Sequence, residues 1–91
     1  MPEFMMIMKE PGKKSDWRTY INELKETGTF RGGSALGNGI CVSKQDNKHN
    51  CTVIGFMRFE ADKLNQVRNL IAGNPHYESG GEIEIHELIE E

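Results

Sequence analysis

Twice along this chain the spacing of apolar residues switches from a short strand-like run to a helical stripe. Trp17, Tyr20, Ile21 and Leu24 fall at i, i+3, i+4 and i+7, the recurrence that lines one face of an α-helix. Leu64, Val67, Leu70 and Ile71 form a second stripe. Four segments with strand character surround these two. Phe4 to Met8 is a short apolar run stopped by the turn-forming Pro11-Gly12. Gly39-Ile-Cys-Val-Ser43 and Cys51 to Phe59 are β-rich and flank the polar stretch Lys44 to Asn50, the layout of a hairpin with a moderately long loop. In Glu82 to His86 the residues alternate, Ile83 and Ile85 to one side, Glu82, Glu84 and His86 to the other.

The order β-α-β-β-α-β predicts an α+β domain of the ferredoxin-like kind, a four-stranded antiparallel sheet with both helices on one face. The helices are expected near 15–27 and 62–72, with boundaries good to about 2–4 residues. Ser15 or Asp16 would cap the first and Asp62 the second, while Gly28 and Gly73 supply the left-handed ends. Ninety-one residues make a single domain, 1–91. A chain this short buries about two-thirds of its unfolded surface, and at 36% apolar residues its core is lean. The uncovered sheet face would expose Met and Phe side chains, so a second copy is expected to cover it and give a homodimer.

The net charge of −3 argues against a nucleic-acid partner, because neutralising phosphates needs a basic surface. Lys9, Lys13, Lys14 and Arg18 do cluster, but Glu10 and Asp16 sit among them, as in an ordinary solvated turn. The apolar run ending at Met8 is far short of the ~20 residues of a membrane span. No CxxC or zinc-type Cys/His spacing is present, and His49 beside Cys51 lacks companion ligands, so neither metal nor cofactor is expected. Cys41 and Cys51 could face each other across the hairpin. The N-terminus lacks the basic and apolar regions of a secretory signal, however, and reduced thiols in a cytoplasmic setting are the better reading. Arg31 to Gly39 is glycine-rich, yet no Gly-Lys-Ser/Thr follows and no helix opens from it. It reads as a flexible connection rather than a phosphate loop.

His76 is the leading candidate for chemistry. It follows Pro75 just past a helix end, and the turn gives its side chain a defined exit at the rim of any pocket. Imidazole gives or takes a proton near neutral pH, as a general acid/base must. Glu78 or Glu82 could orient the ring. Arg58, on the third strand, could hold a carboxylate bidentately, and His86 could face the same interior. Met5, Met6 and Met8 suit core or dimer packing.

Several of these segments together resemble the YCII-related family of small ferredoxin-like proteins. The residues are the Phe4–Met8 strand, Gly55-Phe-Met-Arg-Phe-Glu-Ala-Asp62, the apolar helix through Ile71, Asn74-Pro-His76, and Gly80-Gly-Glu-Ile-Glu-Ile85. The similarity is greatest to the branch with an Asp-Gly-Pro-Phe motif before the third strand. That motif is missing here, where Asp46 to Asn50 make a shortened hairpin. Also missing is the first-helix histidine of another branch, where this chain has Trp17 and Tyr20. The resemblance implies a dimeric α/β barrel with a pocket at the Pro75-His76 turn. Two functions then compete. One is a domain binding an anionic or aromatic metabolite, a small organic acid or phenol, through Arg58, His86 and Glu82. The other is a small lyase or isomerase with His76 as general acid/base.

Overall fold

Phe4, Met6 and Met8 alternate with Met5 and Ile7 along the first strand, and that alternation divides the molecule into a buried side and a bare one. The computed structural model describes residues 2–12, 15–44 and 52–89. Its elements run β1 (Glu3–Lys9), α1 (Arg18–Glu26), β2 (Phe30–Ala35), β3 (Val53–Glu60), α2 (Leu64–Asn69), α3 (Pro75–Glu78) and β4 (Glu82–Leu88). The strands pair antiparallel in the order β2-β3-β1-β4, the ferredoxin-like sheet that the sequence predicts.

Cross-strand pairs Phe4–Phe59, Met6–Met57 and Met8–Gly55 face the helices. Ile85 and Ile83, opposite Met6 and Met8, extend that layer. Tyr20 and Leu24 from α1, Val67 from α2 and Ala61 complete the core. Phe30 packs on Phe59 with ring centres 5.6 Å apart. Residues removed from water in this way supply most of the stability of so small a domain.

The opposite sheet face is bare. Met5, Ile7 and Phe56 lie half-buried on it, rimmed by the ion pairs of Lys9 with Glu84 at 2.7 Å and Arg58 with Glu3 at 2.6 Å, and by a hydrogen bond between His86 and Glu84 at 2.8 Å. Lys9, hydrogen-bonded to Glu84, holds that carboxyl below its ordinary range, and His86 adds to the effect.

The second strand differs from expectation. It is Phe30–Ala35, inside the glycine-rich stretch, and not Gly39–Ser43. Tertiary pairing outweighs local pattern here. Phe30 gains an aromatic partner tilted against it, and at Gly33 a Cβ would overlap Phe56 O and stand 2.8 Å from Met57 Cα, so glycine alone permits the approach. Ile40 and Val42, expected in that strand, are 84% and 83% exposed. Residues 45–51 fall outside the described residues, and with them the hairpin tip, His49 and the relation of Cys51 to the exposed Cys41.

Helix ends shift by a few residues for identifiable reasons. Asp16 accepts the Arg18 amide at 3.0 Å and pairs with its guanidinium at 2.8 Å, so α1 opens at Arg18. Before α2, Gln66 Oε1 reaches back to the amides of Asp62 and Lys63, at 2.7 and 3.2 Å. That replaces the Asp62 cap expected. Gly28 and Gly73 do take positive φ, 76° and 86°. Among the described residues no helix is long and apolar enough to cross a membrane.

Candidate functional site

Asn74 builds the turn that carries His76. Its side chain is fully buried, and Oδ1 accepts the amides of His76 and Tyr77 at 2.9 and 3.0 Å. With Pro75 at the first position, this starts the single-turn α3. Asn74 Nδ2 meets Met6 Sδ at 3.6 Å. Nearby, Tyr20 donates its hydroxyl to Leu70 O at 2.6 Å, tying α1 to the end of α2. Burial pushes the Tyr20 phenol up, against a smaller opposing effect of the Asn74 amide.

His76 itself is only 2% exposed, so it sits inside the fold and not at the rim that its turn suggests. Glycines flank the imidazole. A Cβ at Gly81 would overlap the ring, and one at Gly12 would stand 3.4 Å from Cε1 and Nδ1. Nε2 lies 3.1 Å from the main-chain oxygen of Glu82. A carbonyl oxygen can only accept, so Nε2 carries a proton; of the two neutral tautomers this selects the one with its lone pair on Nδ1. The His76 carbonyl is held in turn by the Gly81 amide at 2.8 Å and the Ser79 hydroxyl at 2.9 Å.

His76 is among the residues lining a cavity of about 470 Å³ between α1 and the strands β2 and β3. Trp17 and Ile21 form the α1 wall; Met8, Met57 and Phe30 line the interior, and Gly32, Gly33 and Ala35 border it along β2. Trp17 stands edge-on to Tyr20, centres 6.0 Å apart. Two irregularities in the sheet border this space. In the β2–β3 pairing the register shifts between Phe30 and Gly33, with Gly32 at φ 95°. In the β1–β3 pairing it shifts between Met8 and Lys9, opposite Ile54. Among the described lining residues none is Lys, Arg, Asp or Glu.

The remaining sequence candidates lie elsewhere. Arg58 and His86 project from the bare sheet face, bound to Glu3 and Glu84. The Glu82 side chain is also outside the cavity, 3.9 Å from Lys9, and meets His76 through its backbone alone. Glu78 accepts the Gly73 amide at 3.0 Å. Gly81 stands where the sequence expects a residue without a side chain beside the His76 turn, whereas Trp17, Phe30, Ile54 and the glycines at 12, 32 and 33 carry no sequence signal for a site. Trp17 read as one more residue of a core stripe, and the glycines acquire meaning once the strand register is known. Among the described residues no group of three or more His, Cys, Asp or Glu could hold a metal ion.

No family model matches the chain, and no curated protein matches it. Among solved structures it is similar to 5-chloro-2-hydroxyhydroquinone dehydrochlorinase from Burkholderia phenoliruptrix AC1100, in a complex with 2,5-dihydroxybenzoquinone. The two share 14% identity with a TM-score of 0.52, over 98% of this chain and 95% of the other. At that identity the likeness establishes a common fold: this chain is a ferredoxin-like α+β domain over nearly its whole length.

Proposed function

We propose that the protein is a YCII-like small-molecule-binding domain, working as a homodimer, whose ligand is a hydroxylated aromatic ring held in the α1–β2–β3 cavity. One observation carries this reading. A cavity with no charged side chain among its described lining residues includes a histidine whose Nε2–H is committed to the Glu82 carbonyl, so that in the neutral ring Nδ1 is the nitrogen left to accept a ligand hydroxyl. About 470 Å³ lies within the range of roughly 300–1,000 Å³ typical of ligand sites. Of the two ligand classes that the sequence suggests, the organic acid has less support. Arg58, its expected anchor, stands on the opposite face and pairs with Glu3. The structural neighbour, bound to a dihydroxybenzoquinone, supports a hydroxylated six-membered ring as the ligand. Dimerisation would cover Met5, Ile7 and Phe56 on the bare face.

A second reading, a small lyase or isomerase, draws on the same tautomer. A buried imidazole anchored through Nε2–H is arranged, in its neutral form, to take a proton from a bound ring at Nδ1.

Trp17, the single tryptophan, lines the cavity, so its emission reports occupancy. Catechol is expected to change that emission saturably and benzoate to bind far more weakly. His76→Ala should weaken catechol by about tenfold, or ~1.4 kcal/mol. Absence of saturable binding to the wild type would overturn the proposal. For the catalytic reading, NMR in deuterated water should show ring-proton exchange, or loss of a ring substituent from a chlorinated hydroquinone, that His76→Ala abolishes.

A further inference from the structure

We infer that Ile54, turned into the cavity by a β-bulge, sets the size of the ring substituent that the site accepts beside His76; the inference rests on the cavity being the ligand site. Regular alternation along β3 would put Ile54 on the bare face, because Phe59, Met57 and Gly55 point to the helices. The pairing with β1 prevents this. Met8 opposes Gly55 but Lys9 opposes Val53, so one step of β1 faces two of β3 and Ile54 is the extra residue. A bulge of this kind bends its strand and redirects a side chain.

The outcome is visible in the neighbours. Val53 takes the place across from Lys9, whose ammonium reaches Glu84 on the bare face, and is 40% exposed. Ile54 instead lines the cavity. The position a Gly12 Cβ would occupy is 2.5 Å from Ile54 Cδ1 and 3.4 Å from His76 Nδ1, so that methyl and the accepting nitrogen are neighbours beside Gly12. The bulge is clamped on both sides. Ile54 O accepts the Leu36 amide at 2.9 Å, and the Glu10 amide donates to Thr52 O at 2.6 Å, which resumes the β1–β3 ladder beyond it. Ile54 is therefore a fixed wall beside Nδ1. A hydroxyl donated to Nδ1 brings the neighbouring ring position towards Cδ1, where bulk is least tolerated.

Affinities of catechol and 3-isopropylcatechol, whose branch adjoins a hydroxyl, test this through Trp17 emission. The wild type should prefer catechol. Ile54→Ala should shift the ratio towards 3-isopropylcatechol by about tenfold, the scale of one or two methylenes in a pocket. Ile54→Val, which loses Cδ1 alone and keeps a β-branched strand residue, should move it the same way by less. Val53→Ala, the adjacent residue on the other face, should leave it unchanged. If both probes bind and neither Ile54 variant moves the ratio, or Val53→Ala moves it equally, the role assigned to Ile54 is wrong while the cavity remains the site. If neither probe binds the wild type, the proposed function and this inference fall together.

Discussion

His76 Nε2 lies 3.1 Å from the main-chain oxygen of Glu82, while the Glu82 carboxylate stands 3.9 Å from Lys9. The sequence offers Glu82 as a carboxylate partner for the imidazole, but the strand turns that side chain away and presents its carbonyl. Glu82→Gln should therefore leave the His76 tautomer and ligand affinity unchanged. Gly81→Ala should not, because its Cβ would overlap the ring. Overpacking of this kind costs ~1–3 kcal/mol. Chemical denaturation, with nitrogen-detected NMR of the imidazole, checks both.

Tyr20 gives a pH dependence with a definite sign. Burial raises its phenol above the ordinary 10.0, so the folded state keeps a proton that the unfolded chain releases. The associated stability is fully present below pH 10.0 and is lost as pH rises through the elevated folded value. Tyr20→Phe strands the Leu70 carbonyl and should cost ~1–3 kcal/mol at pH 7. The variant should also lack the wild type's alkaline loss. Urea unfolding across pH 7 to about 11 measures the two effects separately.

Asn74→Ala removes the acceptor for two amides at the start of α3 from a fully buried position. A lost cap together with unpaired buried donors should cost ~1–3 kcal/mol. Because that turn aims His76, catechol binding should weaken even at temperatures where the variant stays folded. Thermal melts paired with Trp17 titrations separate the losses.

Ile7→Glu tests the dimer. Ile7 lies half-buried on the bare sheet face, opposite Phe56 on one side and Glu84 on the other. Sedimentation at micromolar concentration should show a dimer for the wild type and a monomer with unchanged far-UV dichroism for the variant. A wild type that sediments as a monomer removes the proposed assembly.

The fold was largely legible because two helical stripes and the Ile83/Ile85 alternation each report burial through local spacing. Phe30–Ala35 was not legible, since glycines carry no hydrophobic period and the strand exists through its pairing with β3. Of the residues lining the candidate cavity, the sequence pointed to His76. Its surroundings were hidden for a related reason. A single-residue register slip against Lys9 decides which way Ile54 points, and long-range pairing fixes that slip. Arg58 and His86 illustrate the converse. Period two placed them correctly on the face away from Met57 and Ile85, but the cavity formed on the helix side of the sheet.

The contacts that orient His76 come from outside the cavity lining: the Glu82 carbonyl and the Gly81 amide of the main chain, and the side chains of Asn74 and Ser79. An enzyme engineer could therefore vary the lining at Trp17, Ile21, Phe30 or Ile54 to suit new guests without touching what aims the imidazole. In that sense the aiming apparatus and the container are separable modules, joined at the sheet and adjustable one at a time.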